Sequence, residues 1–399
     1  MSRTSEQPPC DPHRQCEQQW DGQQSKCPQE GIDINICHGL SLRPSRATVS
    51  NIGQPNLSSL RFMTLFERFV VMARIAVTDG MAKDAVALLE QSGHEVILGT
   101  ISATDLAAGA LGEFDAIIVR SATKLPAHVI GVSGDRLAVI GRAGVGVDNI
   151  DIAAAAEAGI PVVNAPRAST QSVVELTIGH LLASLRHIPR ADRGMRSGKW
   201  EKKAMKGTEL SGKNLGLIGF GRIAQGVGSV AQALGMTVHT YDPYLPPKVA
   251  KAQNTILHKK VETLFSNCTH ISIHCNLNDE THHLVNAKRL SLMPGRSNDG
   301  IDCGNHIVNC ARGGIIDEDA LFQAMEDGTV ASAALDVFEI EPVDPSSPLL
   351  QHEHFHGTPH IGAATMEAQA RVGLDIARAI MTVLNGGTCE TTVNAHLLT

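Results

Sequence analysis

The sequence NLGLIGFGRIA, residues 214–224, decides the fold class of this chain. Its apolar start predicts a strand over residues 215–218, and the residues after the turn have the periodicity of a helix. Between the two, Gly219 and Gly221 form a tight turn, and Ala224 is a small residue where the helix meets the strand. This strand, turn and helix predict a parallel α/β unit.

The turn between the predicted strand and helix has the chemistry of a phosphate site. Gly219 permits the tight turn, and Gly221 lets the backbone approach a pyrophosphate. The amino end of the helix, with Arg222 and Ile223, presents N–H groups and partial positive charge to the phosphates. These residues predict a dinucleotide-binding turn.

An acidic residue at the end of the next predicted strand indicates which dinucleotide binds. Asp242 follows Gly219 by 242 − 219 = 23 residues, the spacing at which a carboxylate accepts hydrogen bonds from the adenosine ribose hydroxyls. The same carboxylate repels a 2′-phosphate, and the next residues, Pro243 and Tyr244, include no arginine that would bind one. We therefore expect NAD rather than NADP as the cofactor.

Two series of short apolar runs alternate with amphipathic stretches, which is typical of parallel α/β units. The first series predicts strands at residues 74–77, 95–98, 116–119 and 138–140, with helices at 82–91 and 103–111. The second predicts strands at residues 215–218, 238–241, 271–274, 307–309 and 331–334. We predict an α/β fold of two doubly wound parallel-sheet domains, in which a Rossmann domain is inserted within a flavodoxin-like domain.

Two long amphipathic helices mark the crossings between these domains. One is predicted over residues 170–186, with Ser169 and Thr170 as its amino-terminal caps. The other, residues 366–384, is expected to return to the first sheet, which offers it a packing surface. The predicted boundaries are 72–166 and 359–390 for a substrate-binding domain and 167–358 for an NAD-binding domain.

The first 71 residues are rich in Gln, Ser, Pro and Cys and show no sustained helical or strand period. We expect them to be a disordered extension outside the catalytic fold, or upstream sequence that the native protein lacks. Their cysteines do not have the paired spacing of a structural zinc site, so no metal is expected there. These cysteines are Cys10, Cys16, Cys27 and Cys37.

The composition excludes several classes of function. The 399 residues are 43% hydrophobic and 19% charged, with a net charge of −7, so the chain lacks the basic excess that nucleic-acid binding needs. Charged residues interrupt each apolar run before it reaches the roughly 20 residues that span a bilayer. Nine scattered cysteines and no recognisable signal peptide favour a reducing cytoplasm. We expect a soluble cytoplasmic protein without a nucleic-acid or membrane partner.

Three charged residues follow predicted strands, where open α/β sheets bind ligands. Arg312 lies in NCARGG (309–314), Glu341 in DVFEIEP (336–342) and His360 in TPHIG (358–362). Hydride transfer between a nicotinamide and a 2-oxo acid needs a cation for the carboxylate and an acid/base for the hydroxyl proton. Arginine and histidine are suited to those tasks, and a carboxylate beside an imidazole stabilises its protonated form.

The order and spacing of these segments resemble the D-isomer-specific 2-hydroxyacid dehydrogenases, from about Arg74 to Leu384. The resemblance implies an enzyme in which Arg312 binds the substrate carboxylate and carbonyl, His360 is the general acid/base, and Glu341 pairs with His360. It also implies a homodimer or homotetramer. Because the chain ends soon after the last predicted helix, we expect a form without a carboxyl-terminal regulatory domain.

The resemblance assigns further positions to the site. Asp336 lies where the family places an acid near the nicotinamide carboxamide, and RAGVGVDN (142–149) resembles the family's substrate loop, whose glycines let the backbone approach a carboxylate. The expected cofactor-binding residues are Val145, Gly219, Gly221, Arg222, Ile223, Asp242, Cys275, Cys310, Ala311, Asp336, Gly362 and Ala363. The expected substrate-binding residues are Arg120, Ser121, Lys124, Arg142, Gly144, Val145 and Gly146.

Within the family, IVRSATK (118–124) and GKWEKK (198–203) resemble the enzymes that oxidise 3-phospho-D-glycerate in the first step of serine biosynthesis. Arg120 and Lys124 would supply the cations that a phosphorylated 2-hydroxy acid needs. The alternative is a hydroxypyruvate or glyoxylate reductase, which shares the Arg, Glu and His without needing a phosphate pocket. An NAD-sensing corepressor on the same fold is a third reading, for which only residues 1–71 offer a partner-binding tail.

Two features depart from the family pattern. Residues 294–306 lengthen the link into the Arg312 strand by roughly ten residues, which a surface loop of the NAD-binding domain tolerates. We expect such a loop, or a segment that the native protein lacks. His352, His354 and His356 alternate in a polar loop, where solvated histidines are commoner than metal ligands. We expect no metal there.

Overall fold

The computed structural model describes residues 72–398 of the chain. The predicted amino-terminal extension, residues 1–71, and its four cysteines lie outside this range. None of the helices in the described range is long and apolar enough to cross a membrane.

A parallel sheet of five strands forms the first half of the fold. Its strands are β1 (Arg74–Val77), β2 (Glu95–Leu98), β3 (Ala116–Val119), β4 (Val139–Arg142) and β5 (Val162–Asn164). Their spatial order is β2-β1-β3-β4-β5, which is the flavodoxin-like order. Every residue of the central strand β3 is buried, as expected of a parallel strand that helices cover on both faces.

A second parallel sheet contains seven strands. They are β6 (Asn214–Ile218), β7 (Thr237–Tyr241), β8 (Ile256–His258), β9 (His270–Ile273), β10 (His306–Asn309), β11 (Ser332–Leu335) and β12 (Phe355–Gly357). The order β12-β11-β10-β9-β6-β7-β8 contains the six-strand Rossmann arrangement around β6. The predicted pair of doubly wound sheets, with the Rossmann sheet inserted in sequence, is confirmed.

Helices connect the strands of both sheets. Those between the strands of the first sheet are α1 (Lys83–Gln91), α2 (Ala103–Ala107), α3 (Ala127–Gly131) and α4 (Ile152–Glu157), with a 3₁₀ turn at Ala110–Glu113. The later ones are α5 (Thr170–Leu185), α6 (Ile188–Arg196), α7 (Arg222–Ala233), α8 (Pro247–Ala252), α9 (Val261–Asn267), α10 (Ala287–Leu290), α11 (Glu318–Glu326), α12 (Pro348–Gln351) and α13 (Met366–Leu384).

The last helix returns to the first sheet, as predicted. Helix α13 packs against α1 and β4, and its Ile376 and Ile380 are fully buried. A Cβ on Gly141 of β4 would lie 3.0 Å from the Cδ1 atom of Ile380, so the strand and the helix are in close contact. Beyond α13, the N–H of Val162 donates to Asn394 at 2.9 Å. This hydrogen bond joins the carboxyl-terminal segment to β5.

Three short strands, β5, β8 and β12, were not predicted from the sequence, nor were helices α3, α4, α6, α8, α9, α10, α11 and α12. Helix α6 begins directly after α5 and carries Pro189 in its first turn, where the missing N–H of proline has no cost. The expected capping role of Ser169 was wrong. Ser169 precedes α5, but its side chain makes no capping hydrogen bond.

Residues 294–306 form a closed loop that leads into the amino end of β10. The N–H of Gly304 donates to the carbonyl of Gly295 at 2.8 Å, so the two ends of the loop meet. Across the loop, Arg296 makes two hydrogen bonds to the carboxylate of Asp302, at 2.7 and 3.0 Å. The inserted residues thus form a loop at the amino-terminal ends of the strands of the second sheet.

Candidate active site

A cleft of about 1090 Å³ is lined by residues that follow strands of both sheets. These strands are β1, β3 and β4 of the first sheet and β9, β10 and β11 of the second sheet. The sequence-predicted residues on its wall are Arg120, Ser121, Lys124, Arg142, Gly144, Val145, Gly146, Ile223, Cys275, Cys310, Ala311, Arg312, Asp336, Glu341, His360, Gly362 and Ala363. The remaining four lie in and after the turn that leads to Ile223: Gly219, Gly221, Arg222 and Asp242.

The glycine turn follows β6 and begins α7. Gly219 has a φ of +84°, and a Cβ there would lie 2.9 Å from the carbonyl carbon of His274, so both backbone and space require glycine. At Gly221, by contrast, a Cβ would meet no described atom within 4 Å. The fold itself therefore does not require glycine at 221, and the space before the amino end of α7 fits a pyrophosphate.

The carboxylate of Asp242, which directly follows β7, is held by two backbone N–H groups. Its Oδ2 atom accepts from Phe220 in the glycine turn at 2.9 Å, and its Oδ1 atom accepts from Tyr244 at 2.9 Å. Asp242 thus fixes the glycine turn and stands where the adenosine ribose of a bound dinucleotide would lie. These residues fit NAD.

Asp336 follows β11 and is only 1% exposed. Its Oδ1 atom accepts from the Thr358 hydroxyl at 2.6 Å and from the Ile361 N–H at 2.8 Å. Its Oδ2 atom accepts from the Gly362 N–H at 2.8 Å. Besides lining the cleft, the carboxylate therefore holds the Thr358 side chain before His360 and the backbone after it.

His360 and Glu341 are in direct contact. The Nδ1 atom of His360 lies 2.7 Å from Oε2 of Glu341, and Oε1 accepts the N–H of Phe338 at 3.1 Å. Because Nδ1 faces the carboxylate, Nε2 is left to exchange a proton with a substrate. His360 has a φ of +51° and donates its N–H to the carbonyl of Asp336 at 2.9 Å. Backbone strain of this kind is frequent at functional sites.

Arg312 follows β10 in a turn that packs on the loop after β11. A Cβ on Gly313 would overlap the carbonyl of Phe338, so glycine lets the two loops touch. Arg312 donates from Nε to Oδ2 of Asp148 at 2.9 Å and from Nη1 to the carbonyl of Ala311 at 2.6 Å. Since Asp148 lies in the loop after β4, this ion pair spans the cleft between the sheets.

The glycines after β4 lie against two arginine side chains. A Cβ on Gly144 would overlap the guanidinium of Arg142, and one on Gly146 would overlap that of Arg312. These glycines therefore lie against arginine side chains, and the expected approach of a substrate carboxylate to their backbone stays a prediction. Burial lowers the pKa of Arg142 to about 10, with the charge of Arg312 as the second cause, so it is still charged at neutral pH.

Two residues that were not among the predicted site residues, Asp79 and Asn149 of the expected substrate loop, fix the loop after β3. Asp79 accepts the N–H groups of Arg120 at 2.7 Å and Thr123 at 3.0 Å. Asn149 donates to the carbonyls of the same two residues at 2.8 and 2.7 Å. Together they hold the backbone that presents Arg120 and Lys124 to the cleft. Asp79 could have been identified from the sequence, because it stands two residues beyond a predicted strand.

The three alternating histidines do not converge. The Nε2 atom of His352 lies 3.6 Å from Glu326, and the ring of His356 packs against that of His180 with centroids 5.1 Å apart. His354 lies 5.8 Å from His352, ring centre to ring centre. Across residues 72–398, no group of three or more His, Cys, Asp or Glu side chains is arranged to hold a metal ion.

Known proteins are similar to this chain in sequence and fold. The family model described as "D-isomer specific 2-hydroxyacid dehydrogenase, NAD binding domain" matches residues 178–362. A D-3-phosphoglycerate dehydrogenase of Methanocaldococcus jannaschii is 44% identical over 323 residues, which are 81% of this chain and 60% of that protein. A hydroxypyruvate reductase of Thermotoga maritima is 43% identical over 309 residues, which are 77% of this chain and 97% of that protein.

Among solved structures, the NAD⁺-bound 3-phosphoglycerate dehydrogenase of Entamoeba histolytica has a TM-score of 0.65 and 30% identity. The match covers 81% of this chain and 98% of that one. The chain spans 60% of the M. jannaschii protein and 50% of an Arabidopsis thaliana relative.

A Rossmann sheet with this glycine turn, joined to a second α/β sheet across a cleft, defines the class of NAD-binding α/β dehydrogenases. Within that class, the chain belongs to the D-isomer-specific 2-hydroxyacid dehydrogenases, because its identity with the T. maritima protein extends over nearly all of that protein.

Proposed function

We propose that this chain oxidises 3-phospho-D-glycerate with NAD to 3-phosphohydroxypyruvate. The observation that carries the proposal is that four cationic side chains line one cleft: Arg120, Lys124, Arg142 and Arg312. A 2-hydroxy acid with one carboxylate needs a single cation, whereas a phosphorylated one brings further negative charge that needs more. The M. jannaschii relative is named a D-3-phosphoglycerate dehydrogenase, which supports the same substrate.

In this proposal the charged residues of the cleft divide into three groups, which bind the carboxylate, transfer the proton and bind the phosphate. Arg312 binds the carboxylate and the oxygen on C2 with its planar fork. The Nε2 atom of His360 takes the proton of the C2 hydroxyl during oxidation, and Glu341 stabilises the resulting imidazolium. Bound NAD would supply the acceptor for the hydride that leaves C2. Arg120, Lys124 and Arg142 bind the phosphate.

A second candidate is reduction of hydroxypyruvate. The T. maritima relative with that name is 43% identical and is covered over 97% of its length. Such a reaction uses Arg312, Glu341 and His360 in the same roles but does not require three additional cations.

Steady-state kinetics would separate the two candidates. We expect the highest kcat/KM with 3-phosphoglycerate and NAD, and we expect Arg120→Ala to lower it while hydroxypyruvate and glyoxylate reduction with NADH change little. Lys251→Ala, which removes an exposed cation from α8, is the matched control. A higher kcat/KM for hydroxypyruvate that is insensitive to Arg120→Ala would favour the second candidate.

We also propose that two copies of the chain pair through the segment that contains α6. Three large apolar side chains are exposed there, Ile188 at 54%, Met195 at 61% and Trp200 at 82%, and exposed apolar groups concentrated in one segment favour protein–protein contact. Analytical ultracentrifugation should show a dimer for the wild type and a smaller species for Trp200→Glu. A monomeric wild type would contradict this pairing.

A further inference from the structure

We propose that Asp148 is a positioning residue that holds the guanidinium of Arg312 in the direction from which the substrate carboxylate is bound. The inference rests on the proposed role of Arg312. The two residues are 164 positions apart and follow strands of different sheets, β4 and β10. The Nε atom of Arg312 nevertheless lies 2.9 Å from Oδ2 of Asp148.

The hydrogen bonds of Arg312 leave one edge of its guanidinium for a ligand. Of its five N–H groups, the one on Nε donates to Asp148 and one on Nη1 donates to the Ala311 carbonyl. The other three, one on Nη1 and two on Nη2, meet no acceptor in the part of the chain that the structure describes. They form the terminal fork, which can bind a carboxylate through two bonds. Asp148 therefore sets the direction of the fork without occupying it.

The charge of Asp148 fits the same role. A carboxylate in a cleft for anions repels the substrate, so its presence needs a compensating benefit. Asp148 faces two cations, Arg312 and Arg142: burial and the charge of Arg312 lower the pKa of Arg142, and Asp148 opposes that lowering. Asp148 thus offsets the repulsion between the two arginines, which lie against neighbouring glycines of one loop.

The ion pair itself contributes little to stability. The side chain of Asp148 is 64% exposed and that of Arg312 is 27% exposed, and solvent-exposed pairs of this kind have small effects on folding. The pair is therefore expected to matter for substrate binding far more than for the melting temperature.

The test compares Asp148→Ala and Asp148→Asn with the wild type, using the 2-hydroxy or 2-oxo acid that the wild type turns over fastest. Asp148→Ala should raise KM roughly tenfold or more, because a displaced fork binds poorly, with unchanged NADH affinity and melting temperature. Asp148→Asn should recover most of the loss, because its amide oxygen still accepts from Nε. Asp135→Ala, which removes an exposed acid, controls for net charge. In an Arg312→Lys background, Asp148→Ala should add little.

The outcomes separate this inference from the proposed function. If Arg312→Lys has wild-type kinetics, the role of Arg312 is wrong. If Arg312→Lys is impaired but Asp148→Ala keeps or lowers KM, Asp148 merely repels the substrate and the positioning role is overturned. Equal losses in Asp148→Ala and Asp148→Asn would assign the effect to charge alone and would also overturn positioning by a hydrogen bond.

Discussion

Glu341 uses its two carboxylate oxygens on different partners: Oε2 lies 2.7 Å from Nδ1 of His360, and Oε1 accepts the backbone N–H of Phe338 at 3.1 Å. The side chain therefore both faces the imidazole and shapes the loop on which it stands. Because the amide of glutamine can make similar contacts without the charge, the electrostatic and structural effects of this residue can be separated.

Replacing Glu341 by Gln should change the rate of the reaction more than the geometry of the site. The substitution removes the negative charge that faces the imidazole of His360, while the amide can still make similar contacts. Reductive kcat/KM should therefore fall, with the melting temperature unchanged. His360→Ala should lower kcat by roughly 10²–10⁴ with NADH binding retained. Wild-type kcat/KM in Glu341→Gln would rule out a role for this pairing in catalysis.

Alanine substitutions at the two glycines of the dinucleotide turn should have different effects on stability and on cofactor binding. Gly219→Ala should destabilise the fold by about 1–3 kcal/mol, because it places a Cβ at positive φ against the backbone of His274. Gly221→Ala should melt like the wild type but bind NADH weakly, because its Cβ meets only the space that fits the pyrophosphate. Thermal melting and NADH fluorescence titration measure the two effects.

The matched control for these glycines is Gly179→Ala in α5, where a Cβ meets no described atom within 4 Å. That variant should keep NADH affinity and gain stability, because alanine is the better helix former by about 1 kcal/mol. Unchanged NADH affinity in Gly221→Ala would show that the pyrophosphate does not approach this residue.

Asp242 should set the preference for NAD over NADP. Asp242→Ser keeps an oxygen that can accept from the N–H of Phe220 but loses the charge that repels a 2′-phosphate. The ratio of kcat/KM with NADP to that with NAD should rise in this variant. The hypothesis fails if the wild type already uses both cofactors equally well.

The buried His306 should make the fold sensitive to acid. Burial lowers its pKa to about 4, and its ring nitrogens lie 2.7 Å from the Ser332 hydroxyl and 2.8 Å from the Cys303 carbonyl. A histidine in the unfolded chain has a pKa near 6.5. Between about pH 4 and pH 6.5 the unfolded chain therefore binds this proton more readily than the folded chain does. The free energy of unfolding should fall as pH drops from 6.5 to 4, by at most about 1.4 kcal/mol per unit for this group.

Urea unfolding at a series of pH values would measure this slope. His306→Gln should reduce it, whereas His128→Gln, at an exposed position of α3, should not. Equal slopes in wild type and His306→Gln would mean that other groups cause the acid sensitivity.

Local pattern was sufficient to predict the strands that carry the site, because each contains a short apolar run. It could not predict β12, residues Phe355–Gly357, which pairs with β11 at one edge of the sheet. A three-residue strand has too little periodicity of its own, and its stability comes from that pairing. The same limit applies to the site. The contacts of Asp148 and Asp79 join residues 164 and 41 positions away, and no local spacing encodes such pairs.

The loop of residues 294–306 has a consequence for how this gene can vary. Its ends meet at Gly295 and Gly304, and it enters β10 at the amino end, whereas Arg312 leaves that strand at the other end. Insertions and deletions in this loop can therefore accumulate without moving the arginine, and they would have little effect on turnover. The same segment placed between Asn309 and Arg312 would separate the arginine from its strand, and a lineage that carried it would lose the enzyme.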